Sequence, residues 1–227
     1  MKNVSTEDYL SVIFKNQNEA GEIKSNLIAD KLSISNAAVT DMVKKLSKEG
    51  LINYTPYKGI SLTQEGDSYA KALVRRHRIW ELFLFQIVGL PWEKVHDEAE
   101  KLEHCASDEL INRMEEMLNF PEFDPHGDPI PDKNGRIPKC PEHFPLTKVS
   151  AGRVVSVQRV NDSDNAFLAH ISNLGIDLKS EISVKEVISY DGSMVAECNG
   201  NIFTISYKTA SNIFVEEADS SKENLYD

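Results

Sequence analysis

The distribution of proline divides this chain of 227 residues into parts that cannot share one regular architecture. Seven of the nine prolines lie between residues 120 and 146, at positions 121, 125, 129, 131, 138, 141 and 145. Because proline lacks a backbone N–H and fixes φ, this stretch cannot form a continuous helix. We therefore expect a linker or an irregular connector here, with a helical part before it and a β-rich part after it.

Before residue 64 the pattern predicts three helices followed by a hairpin. Apolar residues recur at helical spacing within 6–16, 25–32 and 36–49, and Ser35 or Asn36 can cap the third helix. Residues 51–63 then have the pattern of a strand, a turn and a returning strand. This is the element order of a winged helix-turn-helix, although the same three helices could serve only as a packed core.

This order of elements favours DNA binding, because such a third helix can place its first turn in a major groove while the hairpin contacts phosphates. Residues 1–80 carry 12 lysines and arginines against nine acidic residues, whereas residues 81–227 carry 13 against 27, so a polyanion would approach the first part. The candidate groove contacts are Ser35, Asn36, Ala37, Ala38 and Thr40. The candidate phosphate contacts are Ser25, Asn26, Lys44, Lys48, Tyr57 and Lys58.

Residues 64 to 120 have a helical pattern, with a long first helix over 64–89 and a Gly-Leu-Pro break after it. Imidazole and carboxylate groups recur there at spacings that bring them to one face of a helix. One such face carries His96, Glu100, Glu103 and His104, and the preceding helix carries His77 and Glu81. Two such faces could supply nitrogen and oxygen ligands to a metal ion; the alternative is a solvated, charged surface.

From residue 146 onward the pattern is that of a small β domain. Strands are predicted at 152–160, 181–189, 193–198 and 201–207, and one short helix at 165–173. The fold class is therefore α+β, with a small β-barrel at the C-terminal end. The predicted domains are 1–63 for DNA binding, 64–143 for the helices with the candidate metal ligands and the connector, and 144–219 for the β domain, followed by a flexible tail at 220–227.

Other features narrow the class of protein. No stretch approaches the roughly 18 apolar residues of a membrane helix, and the first ten residues have no apolar signal region. The three cysteines are too few and too unevenly spaced for a disulfide framework. A phosphate-binding glycine loop, G-x-S-x-G and H-E-x-x-H are all absent from the sequence. We therefore expect a cytoplasmic, non-enzymatic protein with no membrane partner and no small organic substrate.

Several motifs together resemble the diphtheria toxin repressor family of metal-dependent repressors. They are Arg76-His77-Arg78 with Glu81, Gly89-Leu90, Lys94-Val95-His96-Asp97-Glu98-Ala99, Glu103-His104 and Ser107-Asp108-Glu109, together with Thr6–Leu10 and Pro125–Pro131. The resemblance covers residues 3–132 and extends in pattern to the family's SH3-like third domain. It implies a winged helix, a helical dimerisation domain, and a homodimer that binds palindromic operator DNA and represses metal-uptake genes when Fe²⁺ or Mn²⁺ is bound.

The resemblance also implies two metal sites in each chain. The first would use Asp8, Glu100, Glu103 and His104, with His77 adjacent. The second would use His77 or Glu81, with His96, Asp124, His126 and an acidic residue of the third domain, Asp162 or alternatively Asp164. A cation shared by Asp8 on the first helix and by ligands of the dimerisation domain would favour one arrangement of the two domains, which would couple metal binding to DNA binding.

The family comparison bears on which metal is sensed. Iron-sensing members have Met and Cys at the positions of Asp8 and Glu100, whereas manganese-sensing members have Asp and Glu, as this chain does. Carboxylates and imidazoles without sulfur suit Mn²⁺. Two departures weigh against an exact match: Ser11 replaces a Glu of the short manganese regulators, and Asp124 replaces a Cys common in three-domain relatives. The expectation is a Mn²⁺-activated repressor; the alternatives are an Fe²⁺-responsive repressor and, in another class, a metal-buffering or metalloenzyme domain.

Overall fold

The structure is a computed structural model that describes residues 5–18, 20–55, 59–162 and 164–218. Tyr57, Lys58 and the predicted tail at 220–227 lie outside the described residues. The chain divides into two compact units, one of Met1–His77 with Pro131–Ile137 and the other of Arg78–Ile130 with Pro138–Asp227. Each unit is described by itself below.

The first unit has the element order of a winged helix-turn-helix. Its elements are α1 (Thr6–Asn16), α2 (Ser25–Leu32), α3 (Asn36–Lys48), β1 (Ile52–Thr55) and β2 (Gly59–Leu62). The two strands are antiparallel, with Ile52 opposite Leu62, and Ile23 forms a further bridge to Ile60. The apolar faces of the three helices meet in one core, whose fully buried members include Leu10, Ile13, Ile28, Val39, Leu46 and Ile60.

Local side-chain contacts cap the first turns of α1 and α3. Ser5 and Asp8 form a capping box on α1: Ser5 Oγ accepts from the Asp8 N–H at 3.2 Å, and Asp8 Oδ2 accepts from the Ser5 N–H at 2.7 Å. Ser35 caps α3 by accepting from the Ala38 N–H at 3.2 Å, so Asn36 is the first helical residue and not the cap. α2 begins without a side-chain cap.

The long helix α4 (Gln64–Phe83) continues as a π-helical segment, Leu84–Val88, that ends at Gly89 with φ of 77°. The second unit then has a 3₁₀ turn (Trp92–Lys94), α5 (Val95–Leu102) and α6 (Asp108–Met117). One buried apolar cluster of this unit joins Ile79 and Leu82 of α4, Ile111 and Met114 of α6, and Ile130 of the proline-rich segment. No helix among the described residues is both long enough and apolar enough to cross a membrane.

The β region forms one antiparallel sheet of six strands in the order β3-β8-β4-β5-β6-β7. The strands are β3 (Phe144–Pro145), β4 (Val154–Val160), β5 (Glu181–Val187), β6 (Met194–Cys198), β7 (Asn201–Ile205) and β8 (Ile213–Glu217). α7 (Asn165–Asn173) has the predicted bounds, and a single turn, α8 (Tyr207–Ala210), precedes β8. The pattern did not predict β3 or β8, because β3 contains a proline and β8 has only three consecutive apolar residues.

The β region packs directly on the helical part of the second unit. Trp92 belongs to the same apolar core as Leu146, Leu168 and Ile171. Asn165 Nδ2 donates to Asp97 Oδ2 at 2.9 Å, and the Val160 N–H donates to the carbonyl of His126 at 2.9 Å. Residues 124–127 of the proline-rich segment are buried. This part of the segment is therefore an irregular but packed structure.

Candidate metal centre and DNA-binding helix

Three residues from two parts of the second unit form a buried cluster of potential metal ligands. Glu81 lies near the end of α4, and Asp124 and His126 lie in the proline-rich segment. Each offers one ligand atom, and these atoms lie within 4.8 Å of one another. Glu81 and His126 are fully buried and Asp124 is 3% exposed. Since buried charges are costly unless they are compensated, such a cluster calls for a positive partner.

The backbone of the proline-rich segment determines the position of Asp124. Asp124 Oδ1 accepts from the N–H groups of His126 at 2.8 Å and Asp128 at 2.9 Å. Gly127, between them, has φ of 89°, and a Cβ atom there would lie 2.1 Å from the carbonyl oxygen of Gln158 on β4. Only glycine accommodates both the left-handed backbone and this close approach.

His126 has the environment of a neutral ligand. Its ring stacks on Trp92, with centroids 5.5 Å apart and planes 12° apart. Both ring nitrogens are buried and have no hydrogen-bond partner among the described residues. Burial lowers the pKa of His126, while Glu81 and Asp162 act in the opposite direction. A neutral imidazole with an unsatisfied nitrogen beside carboxylates is suited to a metal ion, so the residues present fit a divalent cation.

His96 and Asp162 lie beside this cluster. His96 Nδ1 is 2.9 Å from Glu81 Oε1 and 4.0 Å from Asp162 Oδ2. Asp164, the alternative to Asp162, instead caps α7 by accepting from the N–H groups of Ala166 and Phe167 at 2.9 and 3.2 Å. The structure therefore brings Glu81, His96, Asp124, His126 and Asp162 into one neighbourhood. His77 lies one turn before Glu81 on α4 and is buried.

Arg78 also contacts the cluster, and sequence reasoning assigned it no role. Its guanidinium approaches Asp124 and Asp128 and donates to the carbonyl of Pro129. Burial raises the pKa of Asp124 well above its usual value, and Glu81 and Asp128 add to this, while Arg78 acts in the opposite direction. Arg78 lies within one of the family motifs and Trp92 lies in none of them. The sequence connects neither residue to this cluster, because their partners are distant along the chain.

The residues of the other expected ligand set are divided between the two units. Glu100 is exposed on α5, and α5 ends at Leu102, so that Glu103 and His104 follow in a turn with Glu103 Oε1 3.3 Å from His104 Nε2. Asp8 belongs to the first unit and these three to the second. No metal-compatible group within the described ranges contains Glu100, Glu103 or His104. The set of Asp8, Glu100, Glu103 and His104 stays a prediction.

The first turn of α3 is open to a ligand, as a groove-reading helix requires. Ser35, Asn36, Ala37 and Ala38 are exposed, while Thr40 is half-buried and its hydroxyl donates to the Asn36 carbonyl at 2.8 Å. Because its hydroxyl hydrogen is already donated, Thr40 is better suited to contact a base through its methyl group. The other candidate contacts within the described residues are either exposed (Asn26, Lys44 and Lys48) or half-buried (Ser25).

Three segments of the chain match known protein families. Residues 3–60 match the N-terminal DNA-binding domain of the iron dependent repressors, and residues 63–132 match the metal binding and dimerisation domain of the same proteins. Residues 144–217 match the FeoA domain. Together these matches account for the order DNA-binding domain, dimerisation region and small β domain.

Individual relatives match either nearly the whole chain or its first part. The diphtheria toxin repressor of Corynebacterium efficiens is 30% identical over 228 residues, which cover 95% of this chain and 96% of that protein. The iron-dependent repressor IdeR of Mycobacterium tuberculosis is 35% identical over 127 residues, 56% of this chain and 55% of that protein.

Similar solved structures include a manganese-dependent transcriptional repressor in complex with manganese. It is 32% identical, has a TM-score of 0.85 and is matched over 94% of this chain and all of that chain. A second is ScaR with bound Cd²⁺, which is 29% identical with a TM-score of 0.79 over 95% of this chain and all of that chain.

Proposed function

Because this chain belongs to the diphtheria toxin repressor family of metal-dependent, DNA-binding transcriptional repressors, we propose that it is a Mn²⁺-activated homodimeric repressor of metal-uptake genes. It would bind palindromic operator DNA in the cytoplasm when its metal sites are filled. The observation that carries this proposal is the buried cluster of Glu81, Asp124 and His126, in which both His126 ring nitrogens lack a hydrogen-bond partner among the described residues.

The donor chemistry of the cluster supports manganese. Glu81, Asp124, His126 and the neighbouring His96 and Asp162 offer only carboxylate oxygens and imidazole nitrogens. Oxygen and nitrogen donors without thiolate or thioether suit Mn²⁺, whereas sulfur ligands would favour softer metals. When bound, the cation would supply the positive charge that this buried carboxylate pair calls for. The solved manganese-dependent repressor that the chain resembles supports the same choice.

We propose that Asp8, Glu100, Glu103 and His104 provide the ligands of the first metal site, with His77 adjacent to it. Asp8 lies on α1 of the DNA-binding domain, whereas Glu100 lies on α5 and Glu103 and His104 come directly after it. A cation shared by all four would couple the two regions. A cation that binds the DNA-competent arrangement more tightly than the others shifts the population toward it. The exposed first turn of α3 would then read base edges, with Lys44, Lys48 and the hairpin residues Tyr57 and Lys58 on phosphates.

The decisive experiment measures operator affinity against the concentrations of free Mn²⁺ and free Fe²⁺, with full-length protein. We expect Mn²⁺ to strengthen operator binding and to fill two sites per chain. The His126→Ala variant should lose one of these sites, whereas His170→Ala, which removes an exposed imidazole from α7, should retain both. Operator binding that is unaffected by both metals would contradict the proposal, and metal binding without any operator binding would favour a metal-buffering role.

Iron is the alternative activator, and a specific observation supports it. IdeR, which matches 56% of this chain, is an iron-dependent repressor. Equal or greater activation by free Fe²⁺, measured anaerobically so that the metal stays reduced, would assign this chain to the iron-responsive members.

A further inference from the structure

Arg78 is a buried cation next to the proposed ligands of the second metal site. The residue is 8% exposed, and its Nε lies 3.3 Å from Asp124 Oδ2 while Nη2 lies 3.7 Å from Asp128 Oδ1. A further nitrogen, Nη1, donates to the carbonyl of Pro129. The guanidinium is thereby held by three groups of one short loop.

The two oxygens of Asp124 have different partners. Oδ1 accepts the N–H groups of His126 and Asp128, which keep the carboxylate in place. Oδ2 is the oxygen nearest to Arg78. The backbone therefore positions Asp124 without help from Arg78, and the guanidinium contacts the oxygen that has no backbone donor.

We propose that Arg78 lowers the metal affinity of this site, because it competes with the metal ion for Asp124 and so raises the free-metal concentration at which the site fills. The inference rests on the proposed function, since it assigns a regulatory role at the same site. Without the metal, the guanidinium compensates the buried Asp124 carboxylate. When the metal binds, it must share Oδ2 with a fixed positive charge, and the repulsion lowers its affinity.

Elementary electrostatics determines the direction of the effect. Like charges a few ångströms apart in a poorly solvated site repel much more strongly than in water. Loss of the guanidinium charge would remove this repulsion, while the N–H groups of His126 and Asp128 would still position Asp124. If Arg78 only supported the fold, its replacement would displace a metal ligand and would therefore weaken metal binding.

The test is calorimetric titration of Mn²⁺ into the full-length protein, with the His126-dependent site identified by the His126→Ala variant. We expect Arg78→Gln to bind Mn²⁺ at that site about tenfold more tightly than the wild type. Arg78→Lys retains the charge and should stay within about threefold of the wild type. The matched control is Arg159→Gln, which removes a guanidinium that lies 3.7 Å from Asp128. Its change in log affinity should be less than half of the change that Arg78→Gln causes.

A second variant keeps the test decisive if Arg78→Gln does not fold. Asp128→Asn removes one of the two carboxylates that Arg78 contacts among the described residues and leaves Asp124. The guanidinium should then compete more strongly with the metal ion for Asp124. We expect Mn²⁺ affinity to fall at least threefold, and Asp132→Asn, which removes an equal charge from the same proline-rich segment, should have a smaller effect. Weaker binding in Arg78→Gln, or unchanged binding in Asp128→Asn, would overturn the inference. If wild type and His126→Ala bind Mn²⁺ identically, it is the proposed function that fails.

Discussion

The ring of Trp92 stacks on the imidazole of His126, with the ring centroids 5.5 Å apart and the planes inclined by 12°. Trp92 Nε1 donates at 3.0 Å to the carbonyl of Pro125, the residue before His126. Trp92 itself is buried in the core of the β domain. Trp92 therefore contacts both His126, a proposed metal ligand, and the core of the β domain. This pair of contacts holds the imidazole ring of His126 in one orientation.

Replacing Trp92 should weaken metal binding, and more so when both the stacking on His126 and the hydrogen bond to Pro125 are lost. Trp92→Phe retains an aromatic ring but loses the hydrogen bond to Pro125, whereas Trp92→Leu loses both. Because an aromatic pair contributes about 0.5–1.5 kcal/mol, we expect Trp92→Leu to weaken Mn²⁺ binding at the His126 site by about three- to tenfold, and Trp92→Phe less. Calorimetric titration measures both. Equal affinities for the two variants would exclude an orienting role for the ring.

Gly127→Ala should destabilise the second unit strongly. The new Cβ would lie 2.1 Å from the Gln158 carbonyl oxygen at a residue whose φ is 89°, so the loop or β4 must move. We expect a loss of roughly 3 kcal/mol or more in the free energy of unfolding, measured by urea denaturation. Gly152→Ala is the matched control, because Gly152 has φ of 84° but no atom within 4 Å of the added Cβ. It should cost only about 1–2 kcal/mol, and equal losses would argue against the close approach.

Asp8→Asn should separate the two roles of Asp8. An asparagine oxygen can still accept the Ser5 N–H, so α1 stays capped, but the ionised ligand is lost. We expect the variant to fold with near wild-type stability and to need at least tenfold more free Mn²⁺ for operator binding, measured by fluorescence anisotropy.

The control for Asp8→Asn is Ser5→Ala. It removes the hydroxyl that accepts the Asp8 N–H and should cost about 1 kcal/mol of stability without changing the metal response. A normal Mn²⁺ response in Asp8→Asn would remove Asp8 from the proposed ligand set.

Lys48 and Asn36 should affect DNA binding in different ways. Lys48→Ala should weaken binding to all DNA sequences alike and reduce the slope of log affinity against log salt concentration by about one unit, as expected for one lost phosphate contact. Asn36→Ala should instead change which base pairs are preferred, at a cost of about 1–3 kcal/mol on the best operator. Lys208→Ala, which removes an exposed charge from the β domain, should do neither. A base-specific effect of Lys48→Ala would reverse these assignments.

The sequence pattern was sufficient to predict the bounds of helices whose stabilising contacts are local. α1, α2 and α7 have the predicted bounds, because an apolar face recurs at helical spacing in each and the flanking residues end the pattern. α4 ends earlier than predicted, at Phe83, since residues 84–88, which are apolar except for Gln86, are equally compatible with the π-helical segment that follows. The two strands that the pattern missed have partners far along the chain: β8 pairs with β3 and β4.

The α+β class, the helix-turn-helix and the proline-rich connector could be predicted from the sequence, and its resemblance to a family indicated the residue types able to bind a metal. The sequence could not show which of these residues meet. His96, which periodicity placed on one face with Glu100 and His104, lies 2.9 Å from Glu81, 15 residues away, and Arg78 approaches Asp124 across 46 positions. Local periodicity reports which face of a helix is apolar, whereas the contacts of buried charges depend on packing between segments distant in sequence.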